Sequence, residues 1–431
     1  MEAAPPTATR FQGLRARLDA VGRFFATQRH LVAVRDGVVG ALPLVLVGSV
    51  FLLLAQPPLP ALTAGAEVPA WRQWLQDASP TLLIPYRVLG GLVALYVTFS
   101  AAYSLARSYA LDAAANGLLS VAALLLAAYR LPGAGRTPHL EISRLGAGAI
   151  FGGLLVAVAT VEITRQFVKR KWTVRLPDTA PDAVVRSFVA LAPAACVLSG
   201  TFLLVHVAGV DLLRVLEHAA RPLVRAADSL PAALAVTAVD GALWLLGVHA
   251  SAALATLKPL WESMLMQNAE AAAQGLRVLP HTATQPFYLW FAWQGGSGAT
   301  LPLALLLLRA RSTQLRTVGR AGVLPALFNV NEPILFGVPV VLNGTLVVPF
   351  LLVPALSVTT AWVALRAGWV TPPYLELPWT LPAPLGAWLS TGGDVRALLL
   401  QCFNLGLGLL VYWPFVRRYD RALRAREQGK G

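Results

Sequence analysis

Long apolar runs separated by short polar segments constrain the fold of this chain more than any other feature. An α-helix needs about 20 apolar residues to cross roughly 30 Å of hydrocarbon, and about ten runs approach or exceed that length. They are residues 31–55, 82–106, 113–131, 145–168, 186–210, 230–257, 299–308 together with the apolar residues before it, 323–341, 345–365 and 395–415, and the seventh and eighth are the least regular. The sequence therefore predicts an all-α integral membrane protein with about ten transmembrane helices.

Composition and charge support a membrane protein and exclude the common soluble classes. Of the 431 residues, 56% are hydrophobic and 13% are charged, and the mean hydropathy is +0.62. The net charge of +14 comes from Arg and Lys in short segments beside the apolar runs, as the positive-inside rule expects. We therefore predict cytoplasmic termini and no binding of nucleic acid. The first apolar run is too long for a signal peptide, so we expect it to remain as a span.

Breaks in the apolar pattern divide the chain into four parts. Residues 1–30 combine apolar spacing of three and four with arginines, which predicts a cytoplasmic amphipathic helix on the membrane surface. Residues 31–228 form a first transmembrane part that ends in an amphipathic connector. Residues 229–416 form a second transmembrane part, and residues 417–431 form a basic cytoplasmic tail.

Two segments of the second part are apolar but too interrupted for regular spans. The first is "LPHTATQPFYLWFAWQGGSGAT", residues 279–300, and the second is "LFNVNEPILFGVPVVLN", residues 327–343. Irregular backbone at membrane depth is tolerated only where protein or a water-filled cavity satisfies it. Paired broken segments of this kind predict two re-entrant hairpins around a substrate site.

Glu332 is the strongest single candidate for a functional residue. A carboxylate at membrane depth is costly, so we expect it to face a cavity or a partner, with Asn329 and Asn331 beside it. The alternative is that Glu332 only stabilises a helix start, which Pro333 would also favour.

His249 lies within an apolar run, in "WLLGVHAS". Asp240 and Trp244 precede it at roughly helical spacing, which favours a polar pocket along one face. The alternative is a histidine buried in the core.

Glycines and tryptophans near the broken segments complete the candidate site. Gly295, Gly296, Ser297 and Gly298 lack the lysine and the strand of a P-loop, so we interpret them as a tight tip whose amides face a ligand. Trp290, Trp293 and Trp379 are suited to stacking on a sugar ring, with an interfacial aromatic belt as the alternative.

The sequence shows no motif for a nucleotide, a metal or a redox cofactor. Cys196 and Cys402 lie in apolar runs, where we expect small buried side chains rather than a disulfide or metal ligands. No cofactor is predicted, and any phosphoryl donor must be another protein.

These motifs resemble the membrane-spanning IIC subunit of the bacterial sugar phosphotransferase system, of the lactose, cellobiose and diacetylchitobiose type. The resemblance rests on "VRDGVVGALPLVLVGSVFLLL", "WLLGVHAS", "FAWQGGSGATL", "LFNVNEPILFGVPVVLN" and "PWTLPAPLGAWLSTGGDVRALLL". It implies a homodimer in the bacterial inner membrane, in which residues 31–228 form the dimerisation scaffold and residues 229–416 bind the substrate.

The resemblance also implies a function and a site. A disaccharide like cellobiose, chitobiose or lactose would enter from outside. A separate phosphorylated IIB subunit, supplied by IIA, HPr and enzyme I, would then phosphorylate its 6-hydroxyl. Glu332 and His249 would reach that hydroxyl as the catalytic pair. The remaining predicted sugar-binding residues are Asn329, Asn331, Gly295, Gly296, Ser297, Gly298, Trp244, Trp293 and Trp379. The alternatives are an uncoupled or cation-driven sugar carrier and a membrane sugar sensor.

Three positions depart from the pattern of that family. Ala250 stands where the family usually has glycine, Gln294 where an apolar residue is expected, and Gly344 where proline is common. The first two are expected to reshape the sugar pocket.

Overall fold

The structure is a computed structural model that describes residues 27–57, 69–130, 139–140, 142–174, 182–246, 250–276, 278–338, 340 and 344–429. Helices make up almost all of the regular structure in these ranges, which confirms the predicted all-α class. The regular extended structure described is one antiparallel pair, Tyr129–Arg130 with His139–Leu140. Most of the predicted N-terminal amphipathic helix, and His249, lie outside the described residues.

In the ranges described, six α-helices occupy the first half of the chain and pack closely through small residues. A Cβ atom on Gly37 would lie 2.7 Å from the Ala101 side chain, and one on Gly153 would lie 2.2 Å from Thr98 Oγ1. Small residues of this kind let membrane helices approach each other. The helices are α1 Arg29–Ala55, α2 Ala70–Leu89, α3 Val93–Ser108, α4 Ala113–Ala128, α5 Ile150–Lys169 and α6 Asp182–Phe202.

The second half combines several short helices with two long ones, Gly344–Arg366 and Val395–Glu427. They are α7 Leu212–Ala227, α8 Leu230–Leu245, α9 Ser251–Leu254, α10 Lys258–Ala273, α11 Gln285–Phe287, α12 Thr300–Leu307, α13 Thr313–Leu327, α14 Glu332–Gly337, α15 Gly344–Arg366, α16 Ala383–Ser390 and α17 Val395–Glu427. A wide helical turn, Tyr288–Ala292, continues α11. Ser229 caps α8 by accepting a hydrogen bond from the Ala232 N–H, just after a 69° bend from α7.

Six helical stretches in the described part are long and apolar enough to cross a membrane, or seven if the bent pair α7 and α8 is one span. Two of the predicted runs do not form a long helix. Residues 299–308 contain only the eight-residue α12, and the run 323–341 is broken between α13 and α14. Asn329, which has a positive φ, explains the break between α13 and α14, and Ala299, also at positive φ, directly precedes α12. The count of about ten spans stays a prediction.

Two large clusters of buried apolar side chains hold the described helices together. The larger one draws on residues from Val224 to Val416, and the second draws mainly on residues from Ala33 to Val161. A smaller cluster joins Leu52 and Tyr86 of the first half to Ala272 and Leu375 of the second.

The prediction that both cysteines are buried is wrong. Cys196 on α6 and Cys402 on α17 are exposed on the surface of the chain. Lipid tails are as apolar as a protein core, so an apolar run alone does not distinguish a lipid-facing side chain from a buried one.

Candidate functional site

Two hairpins meet tip to tip in the second half of the chain. The first hairpin runs through α11 and its wide turn, reverses at residues 293–299, and returns in α12. The second consists of α13, a turn at residues 328–331, and α14. We call the two turns the first tip and the second tip. The chain thus reverses direction within both broken apolar segments, and their re-entrance into the membrane stays a prediction.

Glycine is required at the first tip by backbone conformation and by close packing. Gly295, Gly296 and Gly298 have φ values of 82°, 97° and 78°, in the left-handed region that other residues avoid. A Cβ atom on Gly298 would lie 2.0 Å from the Phe350 ring, and one on Gly296 would lie 2.7 Å from the Asn331 side chain. The Gly296 N–H donates to the Trp293 carbonyl at 2.8 Å, which closes the turn.

Two asparagines join the tips. The Gly295 N–H donates to Asn329 Oδ1 at 3.0 Å, and Asn331 Nδ2 donates to the Ser297 carbonyl at 3.0 Å. Asn329 Nδ2 also donates to the carbonyls of Trp379 and Leu381, at 2.7 and 2.9 Å. Asn329 itself has a φ of 63°, which asparagine tolerates better than most residues. Both predicted asparagines therefore lie where the two tips and residues 379–381 come together.

Asp240 connects helix α8 to the first tip. Ser297 Oγ donates to Asp240 Oδ1 at 3.0 Å, while Asp240 Oδ2 is buried and has no hydrogen-bond partner among the described residues. Trp244 follows on the same helix and is also buried. The chain then reaches the three residues that contain His249, which the structure does not describe, and continues with buried Ala250.

Glu332 is the first residue of α14, directly after the second tip. Its side chain is half-buried, and no hydrogen bond links its carboxylate to the parts of the chain that the structure describes. A carboxylate in the first turn of a helix is stabilised by the helix dipole, which agrees with the alternative that Glu332 stabilises a helix start. Because its oxygens are not bonded to protein there, the same carboxylate is also able to accept a hydrogen bond from a ligand.

The candidate tryptophans have three different environments. Trp293 is half-buried and stacks on Tyr288, with ring centroids 5.5 Å apart. Trp379 is 54% exposed and follows the irregular segment 371–378. Trp290 is fully buried, and a Cβ atom on Gly386 would lie 2.3 Å from its ring, so Trp290 is a core residue.

Three buried polar residues near the tips were missed from the sequence or lacked an explanation. Gln294, an unexpected polar residue, accepts a hydrogen bond through Oε1 from Gln401 Nε2 at 3.0 Å, and both side chains are fully buried. The Tyr412 hydroxyl donates to the Gly298 carbonyl at 2.7 Å. Gln401 and Tyr412 are polar residues within the otherwise apolar run 395–415, and this feature of the sequence could have identified them as candidates.

The position of the first tip can be measured along the axis of helix α17. With a rise of about 1.5 Å per residue, Gln401 lies about 9 Å, Tyr412 about 26 Å and Asp420 about 38 Å from the start of the helix. Gln401 and Tyr412 contact the first tip, whereas the Asp420 carboxylate accepts hydrogen bonds from the backbone N–H groups of Arg311 and Ser312. The first tip therefore lies beside the first half of this long helix, between about 9 and 26 Å from its start.

A cavity of about 1050 Å³ opens at the other end of the molecule from Asp420, around the start of α17. The ends of α1, α10 and α15 also border it. Its polar lining includes Gln56, Thr282, Tyr374, Thr391, Asp394 and Arg396. The irregular segment 371–378 begins at this cavity and ends at Trp379, beside the second tip.

This chain is similar to known proteins over nearly its whole length. Residues 35–354 match the family model described as "Phosphotransferase system, EIIC". The chain is 35% identical to the "PTS system cellobiose-specific EIIC component" of Geobacillus stearothermophilus, covering 96% of this chain and 95% of that protein. It is also 35% identical to the "Putative permease IIC component YwbA" of Bacillus subtilis (strain 168), covering 92% of each.

A solved structure has the same fold. The transporter ChbC, described as the IIC component from the N,N'-diacetylchitobiose-specific phosphotransferase system, superposes with a TM-score of 0.84 at 30% identity. The match covers 97% of this chain and all of ChbC. On the sequence match and this agreement in fold, the chain belongs to the EIIC family and is a membrane-embedded, sugar-specific component of the phosphotransferase system.

Proposed function

We propose that this protein imports a disaccharide like cellobiose, chitobiose or lactose, and presents its 6-hydroxyl to a phosphorylated IIB subunit. The Glu332 carboxylate carries the proposal: it follows the joined tips directly and makes no hydrogen bond within the described part of the chain. The names of the relatives, which include cellobiose- and lactose-specific components, support a disaccharide.

Glu332 and His249 act on the hydroxyl in this proposal. The carboxylate accepts a hydrogen bond from the 6-hydroxyl, orients its oxygen and takes its proton as the phosphoryl group arrives. His249 follows Trp244 and Asp240 along the chain, and Asp240 is hydrogen-bonded to the first tip. Trp244, Trp293 and Trp379 contribute apolar surface for the sugar rings, and the tip residues 295–298 with Asn329 and Asn331 shape the pocket.

We further propose that the phosphoryl donor is a separate IIB protein, charged through IIA, HPr and enzyme I. Two relatives that match over nearly their whole length are named as IIC components alone, which supports a separate phosphoryl donor. Residues 31–228 form the scaffold of a homodimer, and residues 229–416 form the transport part. The separate apolar clusters of the two halves support this division.

Both termini lie in the cytoplasm, which places the cavity around Asp394 on the outer face. The basic end of α17, with Arg424 and Arg426, supports this orientation through the positive-inside rule. The sugar would then enter from the cavity and reach the tips near the middle of the membrane.

Uptake of labelled cellobiose, lactose and N,N'-diacetylchitobiose into vesicles tests the proposal. Vesicles with phosphorylated IIB and IIA inside should accumulate sugar phosphate, whereas vesicles without them should not. Equal accumulation of free sugar in both would indicate an uncoupled carrier. Binding without uptake in either would indicate a sensor.

A further inference from the structure

A second group of buried charged side chains lies apart from Glu332. Lys258 and Glu262 are one turn apart on α10, and Glu376 lies in the irregular segment 371–378. Glu262 is 2% exposed and Glu376 is 7% exposed. The two carboxyl groups are close enough to interact electrostatically with each other and with the Lys258 ammonium.

Each carboxylate has an oxygen that is buried without a hydrogen-bond partner in the described ranges. These atoms are Glu262 Oε1 and Glu376 Oε2. Burying a carboxylate is costly unless hydrogen bonds compensate it, and two adjacent carboxylates increase that cost. Buried polar groups left unpaired by the protein itself are therefore candidates for binding a hydrogen-bond donor.

The backbone connects this acidic pair to the second tip. Glu376 precedes Trp379 by three residues, so their Cα atoms are at most about 11 Å apart. The Trp379 carbonyl is bonded to Asn329, three residues before Glu332. The Glu376 N–H itself donates to Ser49 Oγ of α1 at 3.2 Å, which fixes this part of the segment against the first half.

An aromatic cluster connects the pair to the first tip. Trp261, next to Glu262 on α10, packs against Tyr288 at 5.0 Å and against Trp293 at 6.5 Å between ring centroids. Trp293 begins the first tip. Trp293 Nε1 is also buried without a partner among the described residues. The region between the acidic pair and Glu332 thus combines aromatic surface with polar atoms that the protein leaves unpaired.

We propose that Glu262 and Glu376 bind hydroxyl groups of the second sugar ring, the one that is not phosphorylated. This inference rests on the proposed function, in which Glu332 holds the other ring. A sugar ring has several hydroxyl donors, and carboxylates are strong acceptors for them. Lys258 offsets part of the negative charge of the pair. The pair then selects a disaccharide over a single hexose.

Binding to the purified full-length protein tests this inference. Calorimetry with cellobiose, lactose and N,N'-diacetylchitobiose identifies the tightest disaccharide, and competition with methyl β-glucoside measures a single ring. Glu262→Gln and Glu376→Gln should each weaken disaccharide binding at least tenfold and change methyl β-glucoside binding less than twofold. Glu270→Gln, on the same helix but outside the pair, should change neither.

Each outcome of these measurements decides between explanations. Wild-type disaccharide affinity in both glutamine variants would overturn the inference and leave the proposed function intact. Equal weakening for both sugars would mean that the pair supports the fold, which also overturns it. No binding of any disaccharide to the wild type would overturn the proposed function. If the glutamine variants do not fold, Glu262→Asp and Glu376→Asp should weaken disaccharide binding in the same selective way, and unchanged selectivity there would overturn the inference.

Discussion

Polar side chains at the hairpin tips differ in how many hydrogen bonds they make with the rest of the described chain. The Asn329 amide is bonded to three backbone groups, from Gly295, Trp379 and Leu381. The Glu332 carboxylate, three residues later, has no such bond in the described chain. Asn329 therefore fixes the arrangement of the tips, whereas Glu332 is available for chemistry.

Replacing Glu332 with glutamine should separate sugar binding from sugar phosphorylation. The amide keeps the size of the side chain but is not a useful proton acceptor, and general base catalysis typically contributes about 10²–10⁴-fold. We expect sugar phosphate formation in IIB-loaded vesicles to fall at least about 100-fold, with disaccharide affinity changed only a few-fold. A wild-type rate of phosphorylation in this variant would remove Glu332 from the mechanism.

Two substitutions of Asn329 separate the role of its side-chain amide from the role of its positive φ. Asn329→Gly removes the amide but tolerates the positive φ, whereas Asn329→Ala removes the amide and adds a left-handed cost of about 1–2 kcal/mol. We expect both variants to melt at lower temperature than the wild type in detergent, with alanine the lower of the two. Equal melting temperatures for the variants would show that the turn relaxes without strain.

At the scale of elements, the first tip depends on close packing against α15. Gly298→Ala would place a methyl group 2.0 Å from the Phe350 ring at a φ of 78°, so the tip must shift. We expect a loss of thermal stability and of sugar uptake. Gly406→Ala is the matched control, because nothing lies within 4 Å of a Cβ atom there and alanine favours helix. Similar losses in both variants would contradict the packing argument.

Asp394 joins the start of α17 to the irregular segment. Burial acts to raise the pKa of its carboxyl, but hydrogen bonds from the Arg396 guanidinium and from the N–H groups of Thr371 and Arg396 outweigh it, so the pKa lies below the usual 3.8. A lowered folded-state pKa stabilises the protein above the unfolded-state pKa, and this stabilisation is lost as pH falls through the folded-state pKa.

The corresponding prediction concerns melting temperature against pH. Asp394→Asn should lower the melting temperature at pH 7, and its difference from the wild type should shrink as the pH falls below about 4. Detergent-solubilised protein melted at several pH values between 7 and 3 measures this. A difference that stays constant over that range would contradict the role of the charged form.

The elements that could be predicted from sequence are those defined by local pattern. The apolar runs, the two broken segments and the motif around Glu332 were all visible, because helix length and chain breaks depend on neighbouring residues. The pairing of Gln294 with Gln401 was not, since its partners are 107 residues apart. The same holds for Glu262 and Glu376, which packing alone brings together.

At the scale of the whole molecule, the long axis of α17 relates the site to the two membrane faces. Asp394 and Arg396 border the cavity at one end, and the basic residues Arg424 and Arg426 lie at the other. The tips lie between them. In the proposed orientation, a sugar that enters at the cavity would reach Glu332 between the two ends, and a cytoplasmic IIB protein would approach from the basic end.

Cysteine labelling in intact cells tests this orientation. The native Cys196 and Cys402 are exposed, so both are first replaced with serine. Arg396→Cys should then react with a membrane-impermeant maleimide added outside, because it borders the cavity that the proposed orientation places on the outer face, and Arg424→Cys should react only after permeabilisation. Saturating disaccharide should slow labelling at position 396 if the cavity is the entrance. The reverse pattern of labelling would invert the topology and place the cavity on the side from which IIB approaches.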